Sequence, residues 1–250
     1  MKIGLALSGG GIRGMAHLGV IKALSEAGLK IEQISGTSAG SLVGALYSAG
    51  HSPNDILKIV EDAKLLKLLR PAFNTKAFIK MDGIANVLKD FLPATFNSLK
   101  IPLSVSATNI NTGKNKIFDS GQLVPSLLAS CCIPVIFHHI TINNDDYVDG
   151  GITNNFPIEP LENSCNVLIG SHSNFISDQY DDFNMKTILE RSMLIAISGN
   201  VYPKADRCNL FIDPPKLGLI SGFELKKARE IFEIGYAYTT ELLREKPIEM

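Results

Sequence analysis

The sequence predicts an α/β protein, a single domain whose central, mostly parallel sheet is flanked by helices in a three-layer sandwich. Short apolar runs rich in β-branched residues alternate with longer segments of helical period, which is the pattern of strands joined by crossover helices. Glycine-rich turns punctuate the strand-to-helix junctions. The 250 residues are 45% hydrophobic and 20% charged, enough for one large core. No repeat or Pro/Gly/Ser-rich linker divides them, so residues 1–250 are read as one domain.

The first strand is read at Lys2–Ser8 and its helix at Arg13–Ala27, closed by Gly28 because glycine suits the left-handed residue past a helix end. The second strand, Ile31–Ser35, leads into a small-residue helix from Ser38 to Ala49, closed by Gly50. A third helix starts at Pro53 with Ser52 as its N-cap, proline being favoured at the first helical position. Further strands are read at Pro102–Ala107, Val167–Ser171 and Leu210–Ile212, with strand-like runs after His138-His139 and before Tyr147. Further helices cover Gly83–Phe91, Leu123–Ser130, Met185–Ile197 and Gly222–Leu243.

A net charge of -1 argues against a nucleic-acid partner. Cys131, Cys132, Cys165 and Cys208 form no C-x-x-C pair and no zinc-like cluster with histidine. They read as small core residues in a reducing compartment. The apolar run before the first glycines is too short for a signal peptide, and no stretch approaches the ~20 apolar residues of a membrane span. A cytoplasmic protein is expected.

Residues 8–14, SGGGIRG, place Gly9, Gly11 and Gly14 at G-x-G-x-x-G spacing between a strand and a helix. A dinucleotide site would also need an acidic residue at the end of the second strand, and Glu32 stands at its start. That strand ends instead in Ser35-Gly36-Thr37-Ser38-Ala39-Gly40, a G-x-S-x-G followed at once by a helix. Strand, sharp turn and helix are the context of a nucleophile elbow, with Gly36 and Gly40 permitting the tight turn and the Ser38 hydroxyl exposed at a helix N-terminus. Adjacent parallel strands would bring the Gly9–Gly11 loop beside Ser38, so its amides could receive an oxyanion. The plainer reading is two tight turns, which suit glycine and serine anyway.

The serine needs a base. His17 falls in an apolar helix pattern, His51 follows Gly50, and His138-His139 precede a strand; His172, after NVLIGS, keeps a Ser-Asp-His order open. The rival is Asp149 in the glycine-rich turn Tyr147-Val148-Asp149-Gly150-Gly151, which by itself is also an ordinary D-G turn.

SGGGIRG, GTSAG at 36–40 and DGG at 149–151, in that order, resemble the three signatures of the patatin-like phospholipase family. The segments Ala129–Phe137 and NNFPIEPL extend the likeness, which fades beyond about Ser171; Cys131-Cys132 depart mildly from the small residues expected there. The resemblance implies a patatin-like sandwich and a Ser–Asp dyad in place of a triad. Ser38 would be the nucleophile and Asp149 the base, the latter desolvated to raise its basicity. Gly9, Gly10, Gly11, Arg13 and Gly14 would form the oxyanion loop, with Gly150 and Gly151 completing the aspartate's motif. It implies a lipid ester substrate and no metal or other cofactor. An acyl thioesterase or acyltransferase of the same fold, and a catalytically silent lipid-binding module, are the alternatives.

Residues 62–80, DAKLLKLLRPAFNTKAFIK, interleave five basic residues with leucines and phenylalanines against Asp62 alone. That predicts a flap over the acyl channel and peripheral contact with the inner membrane surface, although an ordinary surface helix has the same pattern. Oligomeric state is left open.

Overall fold

The computed structural model describes residues 1–62, 81–179 and 184–248. Eight strands form one sheet: β1 (Ile3–Leu7), β2 (Ile31–Thr37), β3 (Leu103–Asn109), β4 (Lys114–Phe118), β5 (Ile140–Ile142), β6 (Asp145–Asp149), β7 (Val167–Ser171) and β8 (Leu210–Ile212). The parallel part runs β3-β2-β1-β7-β8, and β4, β5 and β6 add an antiparallel extension. Both faces of the sheet are covered. Along β1, Ile3, Leu5 and Leu7 join the main core while Ala6 turns to a second cluster with Phe156, Ile158 and Leu168. The period of two along a fully buried strand follows from the pleat.

The helices are α1 (Met15–Glu26), α2 (Ala39–Ala49), α3 (Pro53–Glu61), α4 (Asp82–Phe91), α5 (Leu123–Ser130), α6 (Gly151–Asn154), α7 (Glu159–Glu162), α8 (Met185–Ser198) and α9 (Ala228–Glu245). α1 is buried along nearly its whole length and packs against α9 and α3. Ser52 caps α3 as expected, its Oγ accepting from the Asp55 amide at 3.2 Å. Gly50 closes α2 with φ 105°.

Two expectations are corrected, and one strand went unread. The Arg13–Ala27 helix is α1 preceded by a separate 3-10 turn, Gly11–Gly14. The helix expected from Gly222 begins at Ala228, because the Gly222 carbonyl accepts from the Ile12 amide at 3.0 Å and is held against the glycine loop. β4 went unread because its sequence, KNKIF, is polar and mostly exposed, as an edge strand can be. Of the proposed flap at 62–80, only Asp62 is described; residues 63–80 lie outside the described residues.

Candidate active site

Ser38 stands between the last residue of β2 and the first of α2 with φ 51° and ψ -124°, a conformation that costs an ordinary residue roughly 1–3 kcal/mol. Its surroundings hold it there. The Ser38 amide donates to Ser130 Oγ at 2.8 Å, and its carbonyl accepts from the Ser41 amide at 2.9 Å and Ser41 Oγ at 2.7 Å. The turn closes tightly enough that a Cβ on Gly36 would stand 2.7 Å from the Gly40 backbone, and one on Gly40 only 2.5 Å from the Leu7 and Ser8 carbonyls. Both glycines are therefore required by close approach.

β1 pairs with β2 at Leu7↔Gly36, which carries the next residues of each strand to neighbouring positions. The Gly9 α-carbon faces the elbow: a Cβ there would lie 3.1 Å from Ser38 Cβ. The loop residues differ in what their polar groups do. Gly9 donates its amide to the Asn155 carbonyl at 3.2 Å, whereas no acceptor among the described residues meets the amides of Gly10 and Gly11. Gly14 packs beneath Ala39. The buried Arg13 turns its guanidinium away from Ser38, toward the Ile220 carbonyl and Glu190. Among the described residues the Gly10 and Gly11 amides are thus left without an acceptor, and Arg13 braces the loop from behind.

Asp149 ends β6, and β3 explains why it reaches the elbow. β2 pairs with β3 as far as Thr37↔Ser106, and β6 takes over at the next residue, Ala107↔Asp149. The other edge of β3 is occupied by β4 from Val105 to Asn109, so β6 continues the edge that β2 leaves. The Asp149 backbone is anchored by its amide to the Cys132 carbonyl at 2.9 Å and by its carbonyl to Thr108 Oγ1 at 2.9 Å. Its carboxylate accepts the Gly151 amide at 2.8 Å on Oδ1 and shares the wall of one cleft with Ser38, whose side chain also favours its charged form. Burial pushes its pKa up to about 6, against the opposing pull of these two groups. Gly150 lies directly against the Ser106 carbonyl.

Two apolar clefts meet at Ser38. The inner one, about 100 Å³, runs between Leu42, Leu46, Ile56, Val60 and Leu88, with Cys131 in its wall. The outer one, about 130 Å³, is bounded by Asp149, Ile152, Met193, Ile197 and Phe223. Gly11, Ile133, Gly222 and Phe223 belong to both. Burial pushes the Cys131 thiol far above the usual range and the Cys132 thiol up to about 12, so both stay protonated.

Among the described residues, no histidine lines either cleft. His17 is buried, with Nε2 donating to the Ser8 carbonyl at 2.9 Å and Nδ1 accepting from Ser171 Oγ at 2.7 Å. Burial lowers its pKa to about 4, so it is a neutral strut between β1 and β7. His172 bonds Asp213 Oδ1 through Nδ1 at 2.9 Å and stacks on Phe211. It is engaged at the end of β8 and lines neither cleft.

The sequence offered no sign of Glu190 on α8. Its carboxylate accepts Ser221 Oγ at 2.8 Å and the Gly222 amide at 2.7 Å, and faces Arg13 Nη2 at 3.8 Å. Because Gly222 in turn holds Ile12, α8 is tied through this carboxylate to the glycine loop. Among the described residues no group of three or more His, Cys, Asp or Glu side chains is arranged to hold a metal ion.

A serine in strained backbone on a strand-to-helix elbow thus shares a cleft with a buried carboxylate brought up at the end of β6, within an α/β fold whose two clefts no described histidine lines. The chain belongs to the patatin-like phospholipase family, whose family model matches residues 5–162. It is 32% identical over 163 residues to an uncharacterised NTE family protein of Mycobacterium tuberculosis, covering 64% of this chain and 45% of that protein. It is 26% identical over 281 residues to the lysophospholipase NTE1 of Kluyveromyces lactis, covering 97% of this chain and 19% of that one. The chain thus spans less than half the length of these relatives. Among solved structures it resembles VipD from Legionella pneumophila, with a TM-score of 0.55 at 16% identity over 98% of this chain and 67% of that one. It also resembles the ExoU–SpcU complex of Pseudomonas aeruginosa, at TM-score 0.50 and 16% identity over 98% and 51%. These two likenesses are of fold. No helix among the described residues is long and apolar enough to cross a membrane.

Proposed function

We propose that the chain is a serine lipid acyl hydrolase, cleaving carboxylic ester bonds of phospholipids or related acyl lipids. Ser38 Oγ attacks the ester carbonyl while its proton passes to Asp149, and the tetrahedral oxyanion settles against the amides of Gly10 and Gly11. Collapse expels the alcohol, which takes the proton from Asp149. Water then attacks the acyl-serine, giving its proton to the same carboxylate; Ser38 recovers it as the fatty acid leaves. The inner cleft takes the acyl chain and the outer cleft the leaving side.

The observation that supports this reading is Ser38 beside a buried Asp149 where two apolar clefts meet. A desolvated carboxylate with a pKa near 6 is a stronger base than one in water, and an apolar substrate chain keeps it so. The test is a fluorophosphonate probe read by intact mass, followed by a panel of lipid esters. One adduct per chain that disappears in Ser38→Ala, with turnover of the panel, is expected. Labelling that persists in Ser38→Ala would reject Ser38 as nucleophile.

A further inference from the structure

Helix α8 is built inside out. Ordinary surface helices turn their apolar stripe inward and their charges outward. Here Glu190 faces inward onto Ser221 and Gly222, and Arg191 donates Nη2 to the Ser177 carbonyl at 2.6 Å. The opposite face carries Met185, Ile188, Leu189, Met193 and Ile195, of which Met185 is 88% and Leu189 62% exposed. At 100° per residue these five fall on one side of the helix, with Ser192 and Ala196 between them. No charged side chain among the described ones shares that side. The apolar surface continues beyond the helix into Ile152 and Phe223, and Val135, 87% exposed, follows the cleft-lining Pro134.

We infer that the outer face of α8 is a membrane-docking surface that sets the mouth of the outer cleft against the acyl region of a bilayer. What identifies the occupant is the position of the patch. Ile152, Met193 and Phe223 are at once exposed and part of the wall leading to Ser38. A protein seated there would roof the cleft; a lipid surface would feed it. A stripe on which no described side chain is charged also matches contact by partition into the acyl boundary, as opposed to attraction by anionic headgroups. The inference rests on the lipid reading of the cleft, and it concerns residues other than the basic 62–80 segment.

The chain contains no tryptophan, so Leu189→Trp places a single fluorophore on the face without altering either cleft. On addition of phosphatidylcholine vesicles its emission should shift to the blue and be quenched by brominated lipid. In parallel, Ile188→Ser/Leu189→Ser/Ile195→Ser should bind those vesicles roughly tenfold or more weakly than the unaltered chain, as loss of inserted methylenes requires. Hydrolysis of a short-chain ester in free solution should stay at the unaltered rate. Vesicle binding of the unaltered chain should change less than about twofold between low and high salt. Unshifted emission from the Leu189→Trp variant, or a triple variant that binds like the unaltered chain, would overturn the inference. So would a dimer in sedimentation that the triple substitution dissolves, since a second copy would then cover the face. Insertion is scored without turnover: if the indole of Leu189→Trp inserts while no lipid ester is hydrolysed, the hydrolase reading fails and the docking face stands.

Discussion

Ser38 and Asp149, distant in sequence, meet in the wall of one cleft because β3 changes partner between Ser106 and Ala107. The serine and the carboxylate are thereby fixed by two strand registers, not by loops. The proposed division of labour between them is open to substitution. Asp149→Asn keeps the shape and removes the base, and should lower kcat by ~10³-fold or more with the fold intact. His172→Ala, which loses a bond to Asp213 and removes no side chain lining either cleft, should retain most activity. Steady-state kinetics on one soluble ester, with circular dichroism of both variants, decides the matter. The reverse order of damage would restore a histidine-dependent mechanism.

A base whose pKa is held near 6 predicts the pH profile. Below that value Asp149 is protonated and cannot accept the Ser38 proton, so kcat/KM should rise tenfold per pH unit and level off above pH about 6. An exposed aspartate would level off nearer pH 4. A profile measured from pH 4 to 8 that is already flat at pH 5 would show that the buried carboxylate does not control the reaction.

Much of this site was legible in the sequence because its parts are local. GTSAG encodes the elbow by itself: only glycine at 36 and 40 lets the turn close, and the register Leu7↔Gly36 then brings in SGGG. What could not be read depends on tertiary contacts. GFELKKA at 222–228 has ordinary helical composition, while the Ile12 and Glu190 contacts hold Gly222 outside the helix. Within SGGGIRG no residue pattern shows that the Gly9 amide is spent on Asn155 or that Arg13 points backward. In α8 the apolar period was legible, but not that Glu190 would be turned inward.

Glu190 should act as a positioning residue for the glycine loop. Glu190→Ala removes the acceptor for Ser221 and Gly222 and loosens the carbonyl that holds Ile12. Loss of one oxyanion donor outright costs ~10²–10³-fold; misplacing the loop that carries the donors should cost roughly 10-fold in kcat. KM should stay nearly constant, since neither cleft loses an apolar wall. Glu190→Gln, whose Oε1 still accepts from Gly222, should recover most of kcat. A rise in KM with kcat unchanged, or no recovery in Glu190→Gln, would instead make Glu190 a structural residue.

The burial that makes Asp149 a base should also make it a liability for stability. Its pKa is raised from 3.8 to about 6 in the folded state, so between those values the native protein binds a proton that the unfolded chain has released. Stability therefore falls as pH rises from about 4 to 6, and above pH 6 the full penalty is present, on the order of 1–3 kcal/mol for a shift of about two units. Asp149→Asn carries no charge at any pH, and its side-chain oxygen can still accept the Gly151 amide. At pH 7.5 the variant should melt above the unaltered chain, and at pH 4 the difference should shrink toward zero. His17 works in the opposite sense in both proteins: its folded pKa of about 4 lies below the unfolded value of 6.5, so protonation of the unfolded chain erodes stability as pH falls through that window. Because His17 is common to both chains it cancels in the difference, which isolates Asp149. Differential scanning calorimetry at four pH values measures it, and an Asp149→Asn protein less stable than the unaltered chain at pH 7.5 would mean that the carboxylate is solvated or paired in the folded state.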